Sequence, residues 1–263
     1  MNERRQELLK EIGIHKNADS LSRMDWLGIS IRKKLSISFI REFQNELIWM
    51  NISEHQQLSE DLIREFKNKV DWDYISKNQT LSENFIREFE NKVDWFYISR
   101  NQTLSESFIR EFKNKVIWPQ ISQKQILSSE SFIEEFTDYV DWFYISQKQV
   151  LSENFIRKFK HKVIWTQICI KQKLSEEFIR EFQNTVNWVY LSQYVKMSDE
   201  FIIEFNKRIS WDVYFQNQES SFSIIKRFIV LTNPELNYRK YHFNNIQIKE
   251  IDKILKLKKI FQN

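Results

Sequence analysis

Tryptophan recurs at positions 26, 49, 72, 95, 118, 142, 165, 188 and 211, a step of 23 residues everywhere except from Trp118 to Trp142, where it is 24. A period of this size marks a supersecondary unit stacked on copies of itself, and it restricts the fold more than any bulk property of the chain does. The irregular step can be located. Leu104 to Phe108 spans four residues and Leu127 to Phe132 spans five, so a serine has been added in the run LSSESF. Insertions survive in loops rather than in packed helices, which places a loop at that point of the unit.

One unit, Leu81 to Thr103, reads LSENFIREFENKVDWFYISRNQT. Phe85, Ile86 and Phe89 fall at i, i+1 and i+4, a helical stripe rather than a strand's alternation. Ser82 stands where an N-cap hydroxyl accepts from a first-turn N–H, with Leu81 and Ile86 at the staple positions on either side. Asn91, and Asn45, Asn68, Asn114 and Asn184 at equivalent sites, are expected to end this helix by entering the left-handed region. Asp94 caps a second helix opened by Trp95, with Val93 and Ile98 as its staple. Each helix has only about two or three turns, too few to persist alone in water, so burial of Phe85, Phe89, Trp95 and Ile98 requires neighbouring units.

The predicted fold class is therefore all-α: an α-solenoid of about nine two-helix, 23-residue repeats with atypical N- and C-terminal capping helices. Only two glycines and two prolines are present, which disfavours hairpin-rich β folds and Gly-rich phosphate loops. A leucine-rich repeat has a similar unit length, but Arg100 would occupy an apolar position of its strand. Three regions follow: 1–20 as an N-terminal cap forming a helix without the motif, 21–215 as the tandem repeats, and 216–263 as a degenerate repeat and C-terminal capping helix. Pro234 stands at the next tryptophan position, so the repeat has decayed there. Asn244 to Phe261 reads as an amphipathic closing helix with Ile251, Ile254 and Leu255 inward and a lysine face outward.

The phrase L-S-E-x-F-I-R-E-F-x-N-K-V-D-W-x-x-I-S, seen at Leu81–Ser99, resembles a 23-residue repeat of large protein families in giant DNA viruses, with related copies in some phages and bacteria. The resemblance covers roughly Leu35 to Gln193. It implies an intracellular repeat protein, in the host cytoplasm for a viral chain, with no catalytic residues and no assigned biochemical function.

The residues themselves indicate no enzyme and no cofactor. His15, His55, His161 and His242 sit at different phases of different repeats, and no spacing matches a zinc or calcium site. Cys169 takes the slot of Ser99, Ser122 and Ser146 and reads as a small buried filler; one cysteine also precludes an internal disulfide framework. Arg41–Glu42, Arg64–Glu65, Arg87–Glu88, Arg110–Glu111 and Arg180–Glu181 form a ladder without a unique site, best read as inter-repeat ion pairs. No apolar run approaches a membrane span, and the amino-terminal residues lack a secretory signal's apolar stretch, so a soluble cytoplasmic protein is expected.

The informative positions are those that change. Two residues after tryptophan stand Asn51, Tyr74, Tyr97, Gln120, Tyr144, Gln167 and Tyr190. Asp71, Asp94 and Asp141 before the tryptophan accompany Tyr, whereas Ile48, Ile117 and Ile164 accompany Asn or Gln. On one reading these seven side chains line a surface that engages a partner. On the other, loss of the Asp cap alters the turn and the Tyr/Gln exchange compensates. The leading expectation is a scaffold binding a protein partner of unspecified identity. The alternative is single-stranded nucleic acid held by Tyr, Gln and Asn with Lys and Arg.

Nine repeats advancing by one helix diameter each predict an elongated particle about 90 Å long. Small-angle scattering from a sphere, or a strand-dominated circular dichroism spectrum, contradicts this expectation.

Overall fold

The structure, a computed structural model, describes residues 2–32, 34–127, 129–231 and 243–261, with side chains from residue 3 through residue 257. The described residues contain α-helices, two short 3-10 turns and no strand. They divide into two compact units, 1–125 and 126–263. The division falls in the linker that carries the extra serine.

In the first unit, α1 (Asn2–Glu11) precedes alternating first and second helices of the repeat. These are α2 (Arg23–Arg32), α3 (Ile37–Glu42), α4 (Trp49–His55), α5 (Glu60–Glu65), α6 (Trp72–Asn78), α7 (Glu83–Glu88), α8 (Trp95–Asn101), α9 (Glu106–Glu111) and α10 (Trp118–Lys124). The second unit continues with α11 (Glu130–Glu135), α12 (Trp142–Lys148), α13 (Glu153–Lys158), α14 (Trp165–Lys171), α15 (Glu176–Glu181), α16 (Trp188–Tyr194), α17 (Asp199–Glu204) and α18 (Trp211–Asn217). It closes with α19 (Phe222–Phe228) and α20 (Asn245–Phe261). Second helices pack in succession, α2 through α10 in one unit and α12 through α18 in the other. Each unit is thus an all-α helical-repeat stack of the solenoid class.

The caps stand where the sequence puts them. The Ser82 hydroxyl accepts from the Phe85 N–H, and Asp94 Oδ1 accepts from the N–H groups of Phe96 and Tyr97. Phe85, Ile86 and Ile98 are fully buried. The tryptophans sit at the rim of the core: Trp72, Trp95 and Trp142 are half-buried, whereas Trp26, Trp118 and Trp211 are buried. The Trp72 ring lies 4.8 Å from Phe89 of the following repeat, and the Trp95 indole N–H donates to the Glu90 carbonyl at 3.0 Å.

Two expectations are corrected. Gly13, at φ 75°, is the one described residue with positive φ, so Asn91 and its equivalents do not enter the left-handed region. The first helix instead ends through Phe89 (φ −115°, ψ 28°), whose carbonyl accepts from Lys92 and Val93. Asn91 Oδ1 accepts from Lys115 Nζ of the next repeat at 3.2 Å, as Asn45 does from Lys69 at 2.8 Å. Nor do residues 1–20 form one helix: α1 ends at Glu11, Gly13 turns the chain, and a 3-10 turn follows at Ala18–Ser20. At the other end, Asn244 caps α20, Ile251 is fully buried, and Ile254 and Leu255 pack against the same core. Lys249, Lys253 and Lys256 are exposed, as expected of the outer face; Pro234, His242 and the side chains of Lys258 and Lys259 lie outside the described residues.

A row of buried glutamines seven residues after tryptophan links successive repeats. Gln102 Oε1 accepts from the Leu81 N–H at 3.0 Å, while its Nε2 donates to the Gln79 carbonyl at 2.8 Å. Gln79, Gln125 and Gln172 make the same pair of bonds to the preceding linker. Gln102→Leu leaves the Leu81 N–H and the Gln79 carbonyl buried without partners and is expected to cost about 1–3 kcal/mol. A urea midpoint unchanged by this substitution contradicts the ladder's role.

Candidate functional site

With the framework residues engaged between repeats, the surface that varies is the outer side of the second helices. The residue directly after tryptophan points outward in most repeats. Met50, Asp73, Phe96 and Pro119 are exposed in the first unit, and Phe143, Thr166 and Val189 in the second. Four of these are bulky and apolar, Phe96 at 38% and Met50 at 50% exposure. In the sequence both residues after tryptophan vary from repeat to repeat, but only the second is coupled to the preceding Asp or Ile, and the sequence reading places the candidate site there rather than on this row.

The next position behaves differently. Tyr74, Tyr97, Tyr144, Tyr190, Gln120 and Gln167 are half-buried, and Asn51 is buried at 4% exposure. In the first unit Tyr74 and Tyr97 come together: with Asp71, Asp73, Lys77 and Asp94 they line a recess of about 300 Å³. The Lys77 ammonium lies 5.9 Å from the Tyr74 ring centre and 5.8 Å from that of Tyr97. In the second unit Gln147 Nε2 donates to Gln167 Oε1 at 3.3 Å, and Tyr190 stacks on Tyr194 at 6.4 Å. Twenty residues before Asn51, where Gln147 would correspond, stands Ile31, and Asn51 Nδ2 has no hydrogen-bond partner.

The Asp-to-Ile exchange leaves the turn almost unchanged. Asp94 has φ −81°, ψ 110° and Ile117 has φ −91°, ψ 97°. Ile48, Ile117 and Ile164 make no side-chain cap, so compensation through an altered turn is not what couples the two positions.

Other chemistry-bearing residues are absorbed into the framework. Guanidinium–carboxylate pairs run between repeats, Arg64 to Glu88 at 2.7 Å, Arg87 to Glu111 at 2.8 Å and Arg180 to Glu204 at 2.9 Å. Hydrogen bonding to Glu88 raises the Arg64 pKa. No group of three or more His, Cys, Asp or Glu side chains among the described residues converges as a metal site. No described helix is long and apolar enough to cross a membrane. No protein-family model, characterised protein or experimentally determined structure matches this chain.

Cys169 is buried, and its Sγ accepts from the Asn187 N–H at 3.4 Å, the place where Ser99 Oγ accepts from Ile117 at 2.9 Å. Burial raises the thiol's pKa above its ordinary value. The stabilisation tied to this neutral form is complete below the unfolded thiol's pKa and is lost as pH rises through the raised one. At pH 8 a thiol reagent is therefore expected to label Cys169 at the rate of unfolding, accelerating only in denaturant. Rapid labelling of the native protein contradicts this placement.

Proposed function

We propose that this chain is a non-enzymatic scaffold that binds another protein through the residues that the second helices of each unit expose after tryptophan. One observation supports this best. Residues repeated in every unit are consumed by bonds between repeats, whereas the exposed residues after tryptophan change from unit to unit and include Met50, Phe96, Phe143 and Val189. Large apolar side chains held on a regular scaffold are the kind of anchor that protein interfaces use. Single-stranded nucleic acid would need bare aromatic faces for stacking. Here Trp72, Trp95 and Trp165 lie against phenylalanines of the following repeat at 4.8–5.0 Å, and the tyrosines are half-buried. Phe96 and Phe143 are exposed, but the same position in other repeats holds Asp73, Pro119 and Thr166, so the exposed rings do not follow one another from repeat to repeat. The resemblance to viral repeat proteins favours a host protein as partner and the host cytoplasm as the place.

The test uses the whole chain as bait for native cytoplasmic proteins, with and without nuclease. Phe96→Ser with Phe143→Ser is expected to keep the unfolding midpoint and to lower capture sharply, each anchor being worth about 2 kcal/mol. Capture abolished by nuclease points to nucleic acid instead. Capture indifferent to the double substitution excludes this row as the interface.

A further inference from the structure

Within the first unit, every second helix after α2 has a preceding second helix beside it, and three features record that contact. The residue two before tryptophan is covered: Leu47, Val70, Val93 and Val116 are 4%, 8%, 7% and 5% exposed. The residue six after tryptophan reaches back to the earlier helix, Asn78 Nδ2 to the Glu54 carbonyl at 3.1 Å and Asn101 Nδ2 to the Lys77 carbonyl at 2.9 Å. The residue two after tryptophan, Tyr74 or Tyr97, is wedged in the seam.

On α2 all three are open. Met24 is 72% exposed, Arg32 is exposed and has no partner among the described residues, and a Cβ added to Gly28 would meet nothing within 4 Å. These residues border a recess of about 430 Å³ whose far wall is the 13–16 turn. The Asp25 N–H that a preceding repeat's serine would otherwise accept from is bonded to Ser22 Oγ, so the helix start is complete while its flank is not.

The charge on this flank is basic. Lys16 and Arg32 line the recess and Arg23 is exposed on the same helix. Asp25, the one carboxylate in the lining, is bonded to the Ser22 hydroxyl and N–H and to Lys16. Room for side chains beside an exposed helix flank, under a guanidinium that no described residue pairs, selects an apolar helix that brings a carboxylate.

We infer that the open flank of α2 seats an amphipathic helix of a partner protein, apolar on the contacting side and carrying a carboxylate in its last turn. Arg32 grips that carboxylate where Asn78 and Asn101 hold backbone carbonyls, and an apolar side chain of the guest fills the notch at Gly28. The inference rests on the protein-binding reading above and specifies one partner element and its chemistry.

The probe is a lactam-bridged synthetic helix of about 14 residues, a length that needs the bridge to stay helical, with Leu and Ile along one stripe and two Glu in its last turn. A second peptide carries Lys in place of those Glu. Fluorescence anisotropy with the full chain is expected to show the Glu peptide binding about tenfold tighter than the Lys peptide, and Arg32→Glu to reverse that order. A Cβ at position 28 meets nothing within 4 Å, so Gly28→Leu should keep the fold, checked by thermal unfolding, while its side chain occupies the notch and weakens the Glu peptide about tenfold. Equal binding of the two peptides, no binding at about 1 mM, or indifference to Gly28→Leu overturns the inference. So does a dimer in sedimentation equilibrium that Met24→Asp dissolves, because the flank is then filled by a second copy. If the peptides fail while Phe96→Ser with Phe143→Ser still lowers capture, the protein-binding reading stands and this seat alone falls.

Discussion

A glutamine side chain carries one donor group and one acceptor, as a peptide unit does, and these repeats use it as a piece of backbone. Helices of six and seven residues leave much of the chain in linkers whose N–H and C=O groups have no helical partner. Buried groups of this kind must be satisfied. Gln102 receives the Leu81 N–H and gives its own hydrogens to the Gln79 and Ser76 carbonyls, so a linker is completed only when the next repeat is in place. Ser99 Oγ accepts the Ile117 N–H, and Glu83 accepts that of Ser105. Phe and Trp supply the apolar area, but these polar bonds set the register, because a shifted repeat would leave several buried groups orphaned.

The same dependence shows where the array loosens. Val195 stands where the ladder calls for glutamine, and from there the bonds change: Gln218 donates to Gln193 rather than to the preceding linker's ladder position. Apolar contact continues past that break. Trp211 stacks on Phe228 at 4.2 Å, and Ser221 still caps α19 by accepting from Ile224. Tyr214 and Phe215, in place of the usual Ile and Ser, are buried and add ring contacts where the serine bond has been given up. The repeat therefore loses its glutamine link before its aromatic contacts, while serine and carboxylate links such as Ser210 N–H to Ser192 Oγ persist.

Much of this was legible in the residues. The two capped helix starts, the boundary carrying the inserted serine, the inter-repeat Arg–Glu pairs and the buried filler at Cys169 follow from local chemistry that sequence carries directly. The asparagine prediction failed because αL propensity describes a residue alone, whereas Asn91 is fixed by Lys115 from another repeat. The glutamine ladder was visible as a 23-residue recurrence, yet nothing local distinguishes a buried amide from an exposed one. Among the site positions, Asn51 and Gln120 share phase and chemistry but not exposure. Twenty residues earlier, where Gln147 pairs with Gln167, stand Ile31 and Arg100, and the exposure of Asn51 and Gln120 is set by tertiary surroundings rather than by their own phase.

The Asp and Ile versions of the second helix show why the outer face is able to vary. Asp94 satisfies two N–H groups that Ile117 leaves without a side-chain acceptor. In the Ile117 repeat one of those groups is absent, because Pro119 has no N–H. The cap bond is local and exposed, and the backbone before tryptophan is nearly the same with or without it. The glutamine and glutamate links that join repeats lie on other positions, and the serine link uses only the backbone N–H of the exchanged residue, at 2.9 Å for both Asp94 and Ile117. A repeat can therefore exchange what it shows after the tryptophan, Asp73, Phe96 or Pro119, while the bonds to its neighbours are kept. That separation of framework from surface is what a scaffold requires if its face is to follow a partner without refolding.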